Sequence, residues 1–87
     1  MDLISYYMQN HPLRLIDYYI SFGDSDKAID VARPIIDRYE REGDIRELAE
    51  LIKFFDDRGL KAKIDLYLPK DSYFINEARE YYSRRFH

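Results

Sequence analysis

Apolar and polar positions along the chain follow the period of an α-helix in nearly every segment. The densest apolar run is residues 12–22, PLRLIDYYISF, where only Arg14, Asp17 and Ser21 are unambiguously polar. Those three fall at i, i+3 and i+7, which is one narrow stripe of a helix, and Leu, Ile, Tyr and Phe occupy most of the rest. A helix apolar over so much of its circumference is expected to be covered on several sides. Residues 12–22 are therefore read as the central helix, with Ile16, Tyr19 and Ile20 enclosed.

The flanking segments read as its cover. Asp2 can cap a short helix over residues 3–9, with Leu3 and Tyr7, joined by Ile4 and Met8, directed inward. Asn10-His11-Pro12 breaks that helix, because the residue before a proline is pushed out of the helical region while Pro suits the next helix's first turn. Gly23 stops the central helix, and Asp24 or Ser25 caps a third that carries Ala28, Ile29, Val31, Ala32, Ile35, Ile36 and Tyr39 on one face. Pro34 lies inside that pattern and predicts either a bend near residues 30–34 or two short helices in place of one. Gly43-Asp44 repeats the stop and start, and Asp44 with Glu47 forms a capping-box-like pair. The fourth helix then places Ile45, Leu48, Ala49, Ile52 and Phe55 on one stripe, and Asp56-Asp57-Arg58-Gly59 ends it. Carboxylates at a helix C-terminus oppose its dipole, so Asp56 and Asp57 need water or a cation beside them.

Residues 60–68, LKAKIDLYL, alternate apolar and polar with period two and fit a strand or a helix. A strand would need a partner and no second candidate exists, so helix is preferred, with Leu60, Ile64, Tyr67 and Leu68 on one side. Pro69 ends it. Asp71 or Ser72 caps a last helix over residues 73–85, with Ile75, Ala78, Tyr82 and Phe86 as its apolar stripe and Phe74 and Tyr81 beside it. Short connections make consecutive helices antiparallel neighbours. The fold class is all-α: five or six short helices as an αα-hairpin stack or small orthogonal bundle, forming one domain over residues 1–87.

Residues 15–36 resemble the helix-turn-helix of a tetratricopeptide repeat, through Leu15, Tyr19, the Gly23-Asp24 turn and Lys27-Ala28-Ile29. In that family a small residue in the second helix lets the two helices pack closely, and Ala28 holds the matching place. Pro12 stands where the family has a bulky aromatic, and Ile16 where it has a small residue. The next Gly-Asp turn follows after 20 residues, where a tandem repeat would give about 34. The resemblance implies hairpin packing and, by analogy, a protein-binding role.

Composition narrows the function classes. The 87 residues suffice for one domain that buries only about 60% of the surface its unfolded chain exposes. Cysteine is absent, which removes disulfides, thiolate zinc sites and cysteine nucleophiles together. Thr is also absent and 36% of residues are charged, a balance that hyperthermophile proteins favour. The N-terminus lacks a signal-peptide pattern and no run is long enough to span a bilayer, so a cytoplasmic protein with no membrane partner is expected. Net charge is −3, with an acidic body and a mildly basic C-terminal end, which argues against binding governed by phosphate backbones.

Candidate chemistry is sparse. His11 and His87 stand far apart, His11 as a helix-break residue and His87 at the chain end, and neither has a ligand partner nearby in sequence. Asp24-x-Asp26 fails the EF-hand pattern and reads as capping. No phosphate loop, nucleophile elbow or zinc-protease motif is present. No catalytic residue, cofactor or metal site is assigned, and the chain is not expected to be an enzyme.

Aromatic residues are the anomaly: nine Tyr and five Phe, several as adjacent pairs. Neighbours on a helix point about 100° apart, so one ring of each pair is expected on a flank or the surface. Such rings anchor interfaces, where Tyr and Arg are enriched. The expectation is a helical protein-interaction module that self-associates as a homodimer through aromatic faces of the first or last helix. Its contact residues would be drawn from Tyr6, Tyr18, Phe54, Tyr73, Tyr81, Arg84, Arg85 and Phe86. The alternative is nucleic-acid binding by the last helix, where Arg79, Tyr81, Tyr82, Arg84, Arg85 and Phe86 interleave cations with rings and Lys61, Lys63 and Lys70 extend the patch.

Overall fold

Helices begin and end in this chain where side chains or glycines supply the backbone partners that a helix terminus lacks. Asp2 accepts from the Ile4 amide at the start of α1 (Leu3–Asn10), Asp24 from Lys27 at the start of α3 (Ser25–Glu42), and Asp44 from Glu47 at the start of α4 (Ile45–Asp57). Ser72 does the same for Ile75 in α6 (Tyr73–Phe86). Gly43 has φ of 65° and Gly59 of 74°, and in each case the following amide reaches back across the turn, Asp44 to Tyr39 and Leu60 to Phe55. That is the Schellman closure, and it requires the left-handed conformation glycine adopts without strain. His11 separates α1 from α2 (Pro12–Ser21), with its amide bonded to the Tyr7 carbonyl, so it is the junction residue expected.

The computed structural model describes residues 2–86, with side chains through Arg85; the Phe86 ring and His87 lie outside the described residues. The fold is all-α, with six helices and no strand among the described residues. No described helix is long and apolar enough to cross a membrane. The chain divides into two compact units, one ending at Ile35 and the other starting at Ile36, and the division falls within α3, next to Pro34.

α3 is unbroken from Ser25 to Glu42, so the two-helix alternative at Pro34 is not taken. An interior proline costs about 3 kcal/mol. Against this, the helix buries Ala28, Ile29, Val31, Ala32, Ile35 and Ile36, at about 1.5–3 kcal/mol for each large side chain. Pro34 itself is exposed, so water can reach the backbone around it.

In the first unit, α1 packs on α2 but buries none of its own residues. Leu3, Ile4 and Met8, expected to point inward, are exposed, and Tyr7 is half-buried. Two turns of helix against one neighbour leave most of the circumference open. α2 buries only Leu15 and Ile16; Tyr19 and Ile20 are half-buried, and Leu13, Tyr18 and Phe22 are exposed. The enclosed central helix expected at residues 12–22 is therefore not found. Tyrosine satisfies an apolar pattern while keeping its hydroxyl in water, so rings at positions 18 and 19 do not require cover.

The second unit is organised on α4, which packs against α6 and α5 (Lys61–Tyr67). It buries Leu48, Ala49, Leu51, Ile52 and Phe55, wider by Leu51 than the stripe read from spacing, and leaves Ile45 half-buried. Residues 61–67 are helix, and burial of Ile64 and Leu68 explains the choice, although Tyr67 is exposed. α6 contributes Ile75, Ala78 and Tyr82. A void of only ≈ 10 Å³ remains among Ile36, Leu48, Ile52, Ile64 and their neighbours, barely room for one water.

Polar contacts tie the same helices. The Tyr82 hydroxyl donates to Asp56 Oδ2, so that carboxylate is answered by a phenol where water or a cation was expected. Asp57 pairs with Lys53 at 2.7 Å, and the Arg58 guanidinium lies 3.5 Å over the Phe54 ring while donating to the Phe54 carbonyl. On α5, Asp65 meets Lys61 at 3.1 Å and Arg79 of α6 at 3.7 Å.

Two outcomes follow for the second unit. Phe55→Ala removes a fully buried ring and should cost about 3–5 kcal/mol in urea unfolding, while Leu66→Ala, at an exposed position, should stay within about 0.5 kcal/mol. Gly43→Ala should cost more than Gly59→Ala. Both force a left-handed alanine, about 1–2 kcal/mol, but only at position 43 does the added methyl meet a neighbour, the Phe74 ring at 3.2 Å.

Candidate functional site

The first two helices leave a groove of ≈ 600 Å³ between them, lined by Asp2, Leu3, Ile4, Tyr7, Arg14, Leu15 and Tyr18. Its walls come from i, i+4 pairs: Leu3 with Tyr7 on α1, and Arg14 with Tyr18 on α2, each pair stacked along one helix face. Ile4 lies beside Leu3 on the α1 wall. Phe22 continues the α2 wall, with its ring 4.8 Å from that of Tyr18. The exposures decide what this surface is. Leu3 is 71% exposed, Tyr18 54% and Phe22 73%, so the groove is an open apolar trough.

Two charges mark its length. Asp2 sits at the start of α1, with its carboxylate receiving the Ile4 amide at 3.1 Å and the Ser5 hydroxyl at 3.4 Å. Arg14 sits in the first turn of α2, close to the His11 junction, and makes no ion pair with any described residue. At 1.5 Å rise per residue, Asp2 lies about 13 Å from the junction along α1 and Arg14 about 4.5 Å from it along α2. The first turn of α2 has no acidic residue, and its N-cap His11 makes no side-chain cap, so that end of the groove is left positive.

The residues singled out from the sequence are dispersed. Tyr18 lines the groove. Tyr6 is exposed on another face of α1, with its ring edge-on to Tyr7 at 5.5 Å and tilted toward His11 at 5.9 Å. In the second unit Phe54 is half-buried beneath Arg58, Tyr73 is exposed and edge-on to Phe74 at 5.3 Å, and Tyr81 is half-buried. Arg84 and Arg85 are exposed on the last turn of α6, and the Phe86 ring is outside the described residues.

The cation and ring series on α6 is interrupted. Tyr82 is buried and bonded to Asp56, Arg79 meets Asp65 and Asn76, and Lys61 is bound to Asp65. Among the described residues no group of three His, Cys, Asp or Glu side chains could hold a metal.

Sequence reasoning missed Leu3, Ile4, Met8 and Phe22 as surface residues because helical spacing gave them a core face. The signal that could have found them is length: α1 is eight residues joined to α2 by a single residue, too short to be covered all round. No family model, curated protein or solved structure matches the chain.

If the trough is a binding surface, its exposed residues should be dispensable for folding. In the dilute, unassociated chain, Leu3→Ser and Tyr18→Ser should each cost well below the ~2–4 kcal/mol of Leu15→Ala at the buried floor; chemical denaturation followed by circular dichroism measures all three.

Proposed function

We propose that the chain is a protein-interaction module that receives its partner on the α1–α2 groove. The observation that carries this reading is the contiguity of exposed large apolar side chains there, Leu3, Ile4, Tyr18 and Phe22, in a trough with a charge toward either end. Contiguous exposed apolar surface of a few hundred Å² on a small protein marks interaction sites. A trough between two helices accepts the apolar face of another helix, the mode in which i, i+3 and i+4 anchors enter a groove. The tetratricopeptide-like helix-turn-helix of residues 15–36 supports a protein partner by analogy. No catalytic step and no cofactor enter this reading, and the cytoplasm is proposed as its compartment from the sequence pattern alone.

A photoreactive amino acid at position 18 tests it in the native cell. Irradiation should give covalent adducts with protein at position 18 and none at position 66, which is exposed but lies outside the trough. Absence of protein adducts at 18, with salt-sensitive retention of RNA or DNA that Arg84→Ala and Arg85→Ala abolish together, would replace this reading by the nucleic-acid one.

A further inference from the structure

The groove suits one occupant better than others. Leu3, Ile4, Tyr18 and Phe22 together leave on the order of 500 Å² of side chain bare, taking roughly 200 Å² for a whole large apolar side chain. A stable interface covers about 800 Å² on each partner, of which some 60–65% is apolar, so the patch supplies about what one side of a dimer needs. Its charges are also matched to themselves. Asp2 marks the end far from His11 and Arg14 the end beside it, so a two-fold axis through the middle of the groove sets Asp2 of each copy against Arg14 of the other. Capping occupies only part of the Asp2 carboxylate, which has about four acceptor positions. The incoming acid would also meet the positive, uncapped first turn of α2. An acidic helix from another protein would find one complementary charge and one repelling charge, whereas a second copy satisfies both.

We infer that the partner received on this groove is a second copy of the chain, joined to the first by a two-fold apolar contact with reciprocal Asp2–Arg14 pairs. This rests on the interaction reading above and narrows it. Sedimentation equilibrium tests it on the full chain. The wild type should be a dimer with a dissociation constant in about the micromolar range. Leu3→Arg should weaken it at least about a hundredfold by placing a cation in the apolar contact. Arg14→Gln and Asp2→Ser, the latter keeping a capping side chain, should each weaken it about tenfold, and the double variant should be little worse than either single one because both remove the same pair. Tyr73→Ser, at an exposed ring in the second unit, should leave it unchanged. The cysteine-free chain gives a second readout: Tyr18→Cys should be joined to its copy by a short bismaleimide, and Tyr73→Cys should not. A wild-type monomer at about 1 mM, or a dimer indifferent to Leu3→Arg and Arg14→Gln, overturns the inference. A monomer that still gives foreign protein adducts at position 18 overturns only the choice of partner, and no adducts at all overturns the interaction reading with it.

Discussion

Burial of one face of α4 is the constraint on which the second unit depends. Leu48, Ala49, Leu51, Ile52 and Phe55 are withdrawn from water, and α5 and α6 exist as ordered helices because they cover that face. α5 makes the point most clearly. Seven residues are too few to hold a helix in isolation, where roughly 12–15 are needed even for good helix formers, so its conformation is fixed by where Ile64 and Leu68 go. Phe55, with no exposed surface, is the centre of that arrangement.

The first unit makes the opposite choice. It closes over Leu15, Ile16, Ala28 and Ile29 but leaves α1 with nothing buried and α2 with a bare flank. A sequence that only needed to fold could place Ser or Lys at Leu3, Ile4 and Phe22 without losing a core contact. Large apolar groups there cost solubility, and the partner proposed above would offset that cost by covering them. Arg14 is the polar counterpart: a cation in the first turn of a helix stands against the dipole, and the dimer proposed above would supply the acid that answers it.

Much of this architecture was legible in the sequence because it is written in local chemistry. Asp2, Asp24, Asp44 and Ser72 cap, and Gly43 and Gly59 close helices, through bonds spanning two to five residues that need no knowledge of the tertiary structure. The α4 stripe was legible for the same reason, its 3.6-residue period being strong. Legibility failed where period must be turned into depth. Helical spacing says which residues share a face, not whether anything lies against it, and so Leu3, Met8 and Tyr67 were given a core they do not reach while Leu51 was left out of one. The aromatic residues marked as contacts are dispersed by the same geometry. Among the described residues, Tyr18 is the one aromatic marked as a contact that lines the groove, because adjacency in sequence disperses rings around a helix and the groove gathers them by i, i+4 stacking.

The phenol that meets Asp56 sets how the second unit responds to brine. Beside it, Asp65 of α5 meets Arg79 of α6 through partly exposed opposite charges, and such attraction fades as dissolved ions shorten the reach of the field to a few ångströms. A neutral donor has no counter-ion to lose. The contact of α6 with the end of α4 therefore has one charged partner for salt to screen, where the ionic clasp beside it has two.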